Sequence, residues 1–264
     1  MSSLRPPSQA RVSNTGRVVL VTGGCGGIGH AICLAFQESG AAGVVAVDVV
    51  QDGTVLVPPH VEYVRADVSD EASCQASIDW TVNRFGGLDV LVNTAAIQPP
   101  ASYVPLDQMT SDLWDRMVAI NLTGYTNMAK AAVRQMLLQR SGVIVNVASE
   151  QGHRTARQVP AYGPIKAANI MQAKQWGIEY ARQGIRVVSL SPGAIETPML
   201  RSTLDAQGGG AELANRHPLG RIGQPFEVAN AVLWLASDAA SFITATDIAI
   251  DGGLGAYGAF ADPY

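Results

Sequence analysis

The chain has 264 residues, enough for one large domain or two small ones, and 47% of them are hydrophobic with a mean hydropathy of +0.14, which excludes a disordered or fibrous chain. Eighteen Lys and Arg against 22 Asp and Glu leave a formal charge of −4, so there is no general electrostatic pull toward nucleic acid, and no such partner is expected. No apolar run approaches the roughly 20 residues of a membrane helix, and the opening segment is too polar for a signal-peptide core. The expectation is a soluble cytoplasmic protein without a membrane partner, with a flexible arm over 1–14.

From Arg17 onward, short β-branched runs alternate with longer helical stretches. The segment 17–22 reads as a buried strand, 28–39 as a helix and 43–48 as a second strand. Further strands are predicted near 61–66, 88–93, 142–148, 185–191 and 246–250, and helices near 70–85, 111–139, 161–182 and 226–237. Strands that are apolar on both faces and separated by helices indicate a parallel sheet covered on each side, wound by right-handed crossovers. The predicted fold is α/β: a single doubly wound domain over 15–264 with a seven-stranded parallel sheet. The stretch 198–218, which contains Gly208-Gly209-Gly210, is long for a connection in such a sheet and reads as a substrate lid or a tolerated surface insertion.

The first predicted strand ends in Thr22-Gly23-Gly24-Cys25-Gly26-Gly27-Ile28-Gly29 and runs straight into a helix. Glycines there let the backbone turn tightly and approach a pyrophosphate, while the free amides at the helix start stabilise its charge. A plain strand-to-helix turn also uses glycine, so the position after a buried strand is what makes this a nucleotide-binding fingerprint. Asp48 closes the second strand, where a carboxylate can accept hydrogen bonds from the ribose hydroxyls of an adenosine, or can simply cap the strand. A carboxylate there repels the extra phosphate of NADP, and neither Gly26 nor Val49 supplies a basic partner. NAD is therefore the expected cofactor.

Farther on, Tyr162 and Lys166 lie one turn apart on a predicted helix, with Ser149 at the end of the preceding strand. In isolation a Tyr and a Lys four apart usually mean a half-exposed surface pair. Next to a dinucleotide site they read as a proton-transfer group and its cation. Three cysteines (Cys25, Cys33, Cys74) and four histidines (His30, His60, His153, His217) match no metal or redox spacing, and no metal is expected.

Taken together these motifs resemble the short-chain dehydrogenase/reductase family over nearly the whole chain after residue 15. The resemblance implies a Rossmann-type domain with helices on both faces of the sheet. The family's glycine motif corresponds to Thr22–Gly29, with Gly23, Cys25, Gly26, Gly27, Ile28 and Gly29 as cofactor contacts beside Asp48 and Val49. Its adenine-contacting acid corresponds to Asp67 with Val68, its loop after the fourth strand to Asn93 and Ala95, and its Y-x-x-x-K to Tyr162 and Lys166. Ser149 and Asn121 match the remaining catalytic positions, and Pro192, Gly193, Ile195 and Thr197 match those at the nicotinamide. Arg221–Pro225 and Asp251-Gly252-Gly253 complete the likeness. Two departures stand out: Ala96 where the family has glycine, and Pro164 inside the catalytic helix, where a first-turn position makes its missing N–H harmless.

The resemblance implies hydride transfer between a secondary alcohol and NAD, with Tyr162 as general base. A Lys166 ammonium about 4 Å away contributes roughly 4 kcal/mol at an effective dielectric of about 20, or about three pK units, toward ionising the phenol, before desolvation takes some back. The positive nicotinamide adds to this. Ser149 holds the substrate oxygen, and Asn121 seats a water linking Lys166 to solvent. Expected substrate contacts are Gln98, Ser149, Glu150, Gln151, Val159, Tyr162, Ala194 and Ile195, several of them polar, which points to a polyol, sugar or other hydroxylated small molecule. The alternatives are a carbonyl reductase acting on a 3-oxoacyl thioester, a steroid or another apolar ketone, and a non-catalytic NAD-sensing or protein-binding homologue. A homotetramer is implied, with Met128, Ala131, Ala132, Ala168 and Met171 suited to close helix contact. The aromatic tail 255–264 is expected to pack on a neighbouring subunit.

Overall fold

Val18–Thr22 is an unbroken apolar run ending in threonine, and all five residues are buried, as a strand covered on both faces requires. The structure, a computed structural model, describes residues 12–51, 57–204 and 209–258. That run is β1. It is followed by β2 (Gly43–Asp48), β3 (Glu62–Arg65), β4 (Val90–Asn93), β5 (Gly142–Val147), β6 (Ile185–Pro192) and β7 (Asp247–Ile250). All six neighbouring pairs are parallel, and the order is β3-β2-β1-β4-β5-β6-β7. The winding reverses between β1 and β4, which opens a crevice at the carboxyl ends of the strands. The predicted seven-stranded doubly wound sheet is present.

The helices in chain order are α1 (Gly27–Glu38), α2 (Glu71–Phe85), α3 (Ser111–Val118), α4 (Gly124–Gln139), α5 (Tyr162–Tyr180), α6 (Pro198–Arg201), α7 (Gly210–Asn215) and α8 (Pro225–Ala236). Side chains alternate along β1, so Val19 and Val21 join Ile32 and Phe36 of α1 and Val232 and Leu235 of α8 in one core. Leu20 points the other way, into a second core with Ile78 of α2, Met128 and Met136 of α4 and Ala173 of α5.

Four details differ from the sequence reading. The predicted helix over 111–139 is broken by a π-helical turn at Ala119–Thr123, where the widened spiral re-aims side chains. Met128, Ala131 and Ala132, expected at a subunit contact, are buried in the chain's own core, while Met171 is 61% exposed. Asn14, placed in the arm by sequence, is buried and donates through Nδ2 to the Leu233 carbonyl at 3.0 Å. Residues 1–11 lie outside the described residues. The stretch 198–218 carries the short helices α6 and α7, and its residues 205–208 lie outside the described residues.

Candidate active site

β1 delivers its last residue to the crevice, and Thr22 fastens the neighbouring loop there. Its Oγ1 accepts from the amides of Thr94 (3.0 Å) and Ala95 (3.1 Å), and Thr94 Oγ1 donates back to the Thr22 carbonyl. The turn that follows needs glycine at two places. Gly23 has φ +65°, and a Cβ on Gly29 would stand 2.2 Å from the Gly23 carbonyl oxygen, so α1 starts pressed against the turn. Asp48, at the end of β2, accepts from Cys25 N (3.2 Å) on one oxygen and from Val49 N (2.8 Å) on the other. The carboxylate thus ties the glycine turn to the strand end, and each oxygen keeps a further lone pair. Asp67 Oδ1 is held by the Ser69 amide and hydroxyl at 2.9 and 2.7 Å.

These elements line one cleft of about 1520 Å³, large enough for a dinucleotide together with a small substrate. Of the residues predicted to bind cofactor, Gly23, Gly26, Gly27, Ile28, Gly29, Asp48, Val49, Asp67, Val68 and Ala95 line it, as do Tyr162, Lys166, Pro192, Gly193, Ile195 and Thr197. Cys25 and Asn93 do not: Cys25 gives its amide to Asp48, and Asn93, fully buried, donates to Asn146 Oδ1 at 3.0 Å. Ala96 also lines the cleft and is absent from the four non-glycine residues with positive φ among the described residues, so alanine sits there without backbone strain. The open space at Gly26, where a Cβ would meet nothing within 4 Å, the carboxylate at the β2 end and the length of the cleft all fit a nicotinamide dinucleotide.

The end of the cleft beside β5 and α5 collects the predicted reacting groups. Ser149 follows β5, and its Oγ accepts from Gln151 N at 3.1 Å, leaving the hydroxyl proton for a ligand oxygen. Tyr162 is the first residue of α5 and Lys166 lies one turn on, with Pro164 inside that first turn. Lys166 is 1% exposed. Its Nζ donates to the Val147 carbonyl at 2.8 Å and to the Tyr125 hydroxyl at 3.2 Å, and stands 5.5 Å from the centre of the Tyr162 ring. Burial lowers the Lys166 ammonium to about 7. Burial, and then the neighbouring phenol of Tyr103, push the Tyr162 phenol well above its ordinary range. From spacing alone the attraction between the two groups is expected to outweigh what desolvation takes back. In the folded chain desolvation opposes ionisation of both.

Asn121 sits in the π turn, fully buried, and its side chain is consumed by a two-way bond with the backbone of Ile97: Nδ2 donates to Ile97 O and Oδ1 accepts from Ile97 N, both at 2.8 Å. Its own carbonyl accepts from Asn169 Nδ2 at 3.1 Å. Asn121 therefore pins the loop after β4 with its side chain, and does not itself line the cleft. Gln98, Gln151, Val159 and Ala194 all line the cleft, as do Glu150, Met199 and Leu200 of α6, and Leu213 of α7. Tyr257 of the tail lines this chain's own cleft, and its carbonyl accepts from Arg154 at 2.8 Å; the aromatic positions 260 and 264 lie outside the described residues.

Three residues around the site were given no part in it by the sequence. Tyr125 forms the floor under Lys166 and donates to the Val147 carbonyl at 2.9 Å; its spacing of four from Asn121 was the available signal. Tyr103, whose phenol meets the side chains of Gln98 and Thr203, left no such signal. His217 links α7 to the loop after β6: its Nδ1 faces the Leu213 carbonyl at 2.9 Å and its Nε2 accepts from Ala194 N at 3.1 Å, which fixes the tautomer with the proton on Nδ1.

A family model described as enoyl-(acyl carrier protein) reductase matches residues 23–255. The chain belongs to the short-chain dehydrogenase/reductase family. It is 38% identical to cis-4-hydroxycyclohexanecarboxylate dehydrogenase of Sinomonas cyclohexanicum, over 90% of this chain and 96% of that one. It is 37% identical to 3-oxoacyl-(acyl-carrier-protein) reductase of Thermotoga maritima, over 90% and 98%. The solved structure of aldohexose dehydrogenase from Thermoplasma acidophilum superposes with a TM-score of 0.87 at 33% identity, covering 95% of this chain and 98% of that one. The protein is thus an oxidoreductase of a family that binds a nicotinamide cofactor. No helix among the described residues is long and apolar enough to cross a membrane.

Proposed function

We propose that this short-chain dehydrogenase/reductase interconverts a secondary alcohol and a ketone with NAD(H), acting on a polyol, sugar or other hydroxylated small molecule. The observation that carries the reading is the convergence of Ser149, Tyr162 and Lys166 at the end of the cleft that begins at the glycine turn. Bound nicotinamide supplies the hydride acceptor or donor. Ser149 donates its hydroxyl proton to the substrate oxygen, Tyr162 Oη takes the carbinol proton in oxidation or gives it in reduction, and the Lys166 ammonium stabilises the phenolate. The Val147 carbonyl and Tyr125 hydroxyl hold that ammonium in place.

NAD rather than NADP is supported by Asp48, whose carboxylate stands at the cleft with Val49, in place of a basic residue, next to it in the chain. A hydroxylated substrate is supported by Gln98, Glu150 and Gln151 on the cleft wall and by the likeness to an aldohexose dehydrogenase. Reduction of a 3-oxoacyl thioester is the second reading, supported by the 37% identical relative with that activity in its name. A panel of sugars, polyols, ketones and a 3-oxoacyl thioester, followed by NADH absorbance, separates the two. Turnover of the thioester alone would overturn the first.

The same reading takes 15–264 as one catalytic domain, with α6 and α7 as parts of a lid, and a cytoplasmic homotetramer as the working form. Exposed Met171 and Ile178 on α5 and Leu138 near the end of α4 are apolar surface suited to such an assembly. Sedimentation gives the subunit number.

A further inference from the structure

The substrate end of the cleft carries polar groups that the proton transfer does not use. Glu150, next to Ser149, is 7% exposed and lines the cleft, and among the described residues its carboxyl has no hydrogen-bond partner. Asp251 stands beside it, held by the amides of Gly253 (2.9 Å) and Gly255. The two carboxyls meet at Gly255: a Cβ there would lie 2.5 Å from Glu150 Oε2 and 2.9 Å from Asp251 Oδ2, so the bare hydrogen admits both. Burial, then Asp251, push the Glu150 carboxyl up; Asp247 adds to this, while His153 and Arg154 oppose it.

Two further groups on the same cleft lack partners among the described residues. Gln98 is 8% exposed with an unpaired Nε2, and Gln151 has an unpaired Oε1. Gln151 is next to the reacting serine through its amide, and Gln98 adjoins Tyr103, which neighbours Tyr162. An unpaired buried polar group costs about 1–3 kcal/mol, so a ligand that pairs it is favoured over one that leaves it bare. A plain alcohol uses only Ser149 and Tyr162. A second hydroxyl, donor and acceptor at once, can satisfy these walls. The two carboxyls disfavour a carboxylate or phosphate at that point, and Arg154 and His153, which act on Glu150, offset their pull on an ammonium.

We propose that Glu150 determines specificity by holding a second hydroxyl, on the carbon next to the reacting carbinol, of a neutral vicinal diol. The proposal rests on the alcohol–ketone reading above. It is tested with cyclohexanol and cis-1,2-cyclohexanediol, which differ by that one hydroxyl. For Glu150→Ala the ratio of kcat/KM, diol over mono-ol, falls at least about tenfold, chiefly through KM, and for Glu150→Gln, which keeps a hydrogen-bonding oxygen, most of the ratio returns. Calorimetry in a Tyr162→Phe background saturated with NAD reads the same preference without turnover. A diol preference that stays within about twofold in Glu150→Ala by both readouts overturns the proposal. If the wild type reduces NAD with neither alcohol, the alcohol–ketone reading is overturned, and the calorimetric preference alone judges Glu150.

Discussion

Lys166 Nζ and Tyr125 Oη stand 3.2 Å apart, and both groups donate to the Val147 carbonyl, at 2.8 and 2.9 Å. The ammonium is thereby held under the cleft by a strand carbonyl and a second phenol, and among the described residues no carboxylate is paired to it. A buried cation without a counter-charge is poised for function at some cost in stability.

That arrangement has a measurable pH signature. Burial holds Lys166 at about 7 against an ordinary 10.5. Between those values the unfolded chain binds a proton that the folded chain has released, so stability rises with pH across the window. Below about 7 both states carry the charge, and the folded state bears the full cost of burying it. Lys166→Met, in which Tyr125 still donates to Val147, is expected to be more stable than the wild type by about 1–3 kcal/mol near pH 6. The gap should close toward pH 10. Urea unfolding without dinucleotide at the two pH values measures it, and a gap independent of pH contradicts the account.

Removing only the floor should act on rate. Tyr125→Phe deletes one of the two acceptors that favour the charged form of Lys166, so the ammonium is lost at lower pH and the phenolate of Tyr162 loses support. A fall in kcat of about tenfold is expected, with the high-pH limb of the kcat profile moved to lower pH. Substrate KM should change little, since Tyr125 is 1% exposed and does not line the cleft.

Tyr162 itself carries a larger share. Tyr162→Phe keeps the ring and its packing and removes the only proposed proton acceptor, so turnover should fall by at least about 100-fold while dinucleotide affinity stays near that of the wild type. Fluorescence titration with NADH gives the affinity. A variant that keeps a tenth of the wild-type rate would remove Tyr162 from the mechanism.

The sheet was legible because strands such as β1 and β5 are apolar on both faces, a pattern that only a covered parallel sheet satisfies. The glycine turn, Asp48 and the Tyr162–Lys166 spacing were legible because each depends on short-range chain geometry. The break at Ala119–Thr123 was not: a π turn inserts one residue, Gly124 behind it keeps helical dihedrals, and periodicity runs through it. The same blind spot hid the role of Asn121, whose side chain turns to the loop after β4, and hid Tyr125 beneath Lys166. Met128, Ala131 and Ala132 misled because small or flexible apolar side chains suit an internal core and a subunit contact equally. The opposed shifts of Lys166 and Tyr162 come from depth of burial, which a linear sequence does not display.

The proposed preference for NAD rests on Asp48. Asp48→Asn keeps one oxygen for Cys25 N or Val49 N and removes the charge facing an adenosine 2′-phosphate. The expected result is a fall in kcat/KM for NAD of about 10-fold and a rise for NADP, with a further rise when Val49→Arg is added. The ratio of the two kcat/KM values measures the switch. A wild-type enzyme that already favours NADP would reverse the assignment.

The last expectation concerns the lock between Asn121 and Ile97. Its two bonds of 2.8 Å satisfy both backbone groups of a loop residue that lines the cleft, and Asn121→Ala leaves them unpaired beside a cavity the size of the missing amide. Each unsatisfied group costs about 1–3 kcal/mol unless water enters, so a loss of stability of about 2 kcal/mol is expected. Ala95, Ala96 and Ile97 form one wall of the cofactor cleft, and loosening them should raise KM for the dinucleotide by several-fold before it alters the proton chemistry at Tyr162. A wild-type KM for the dinucleotide with a collapsed kcat would place Asn121 in the proton path directly, in place of the positioning role its side-chain bonds support.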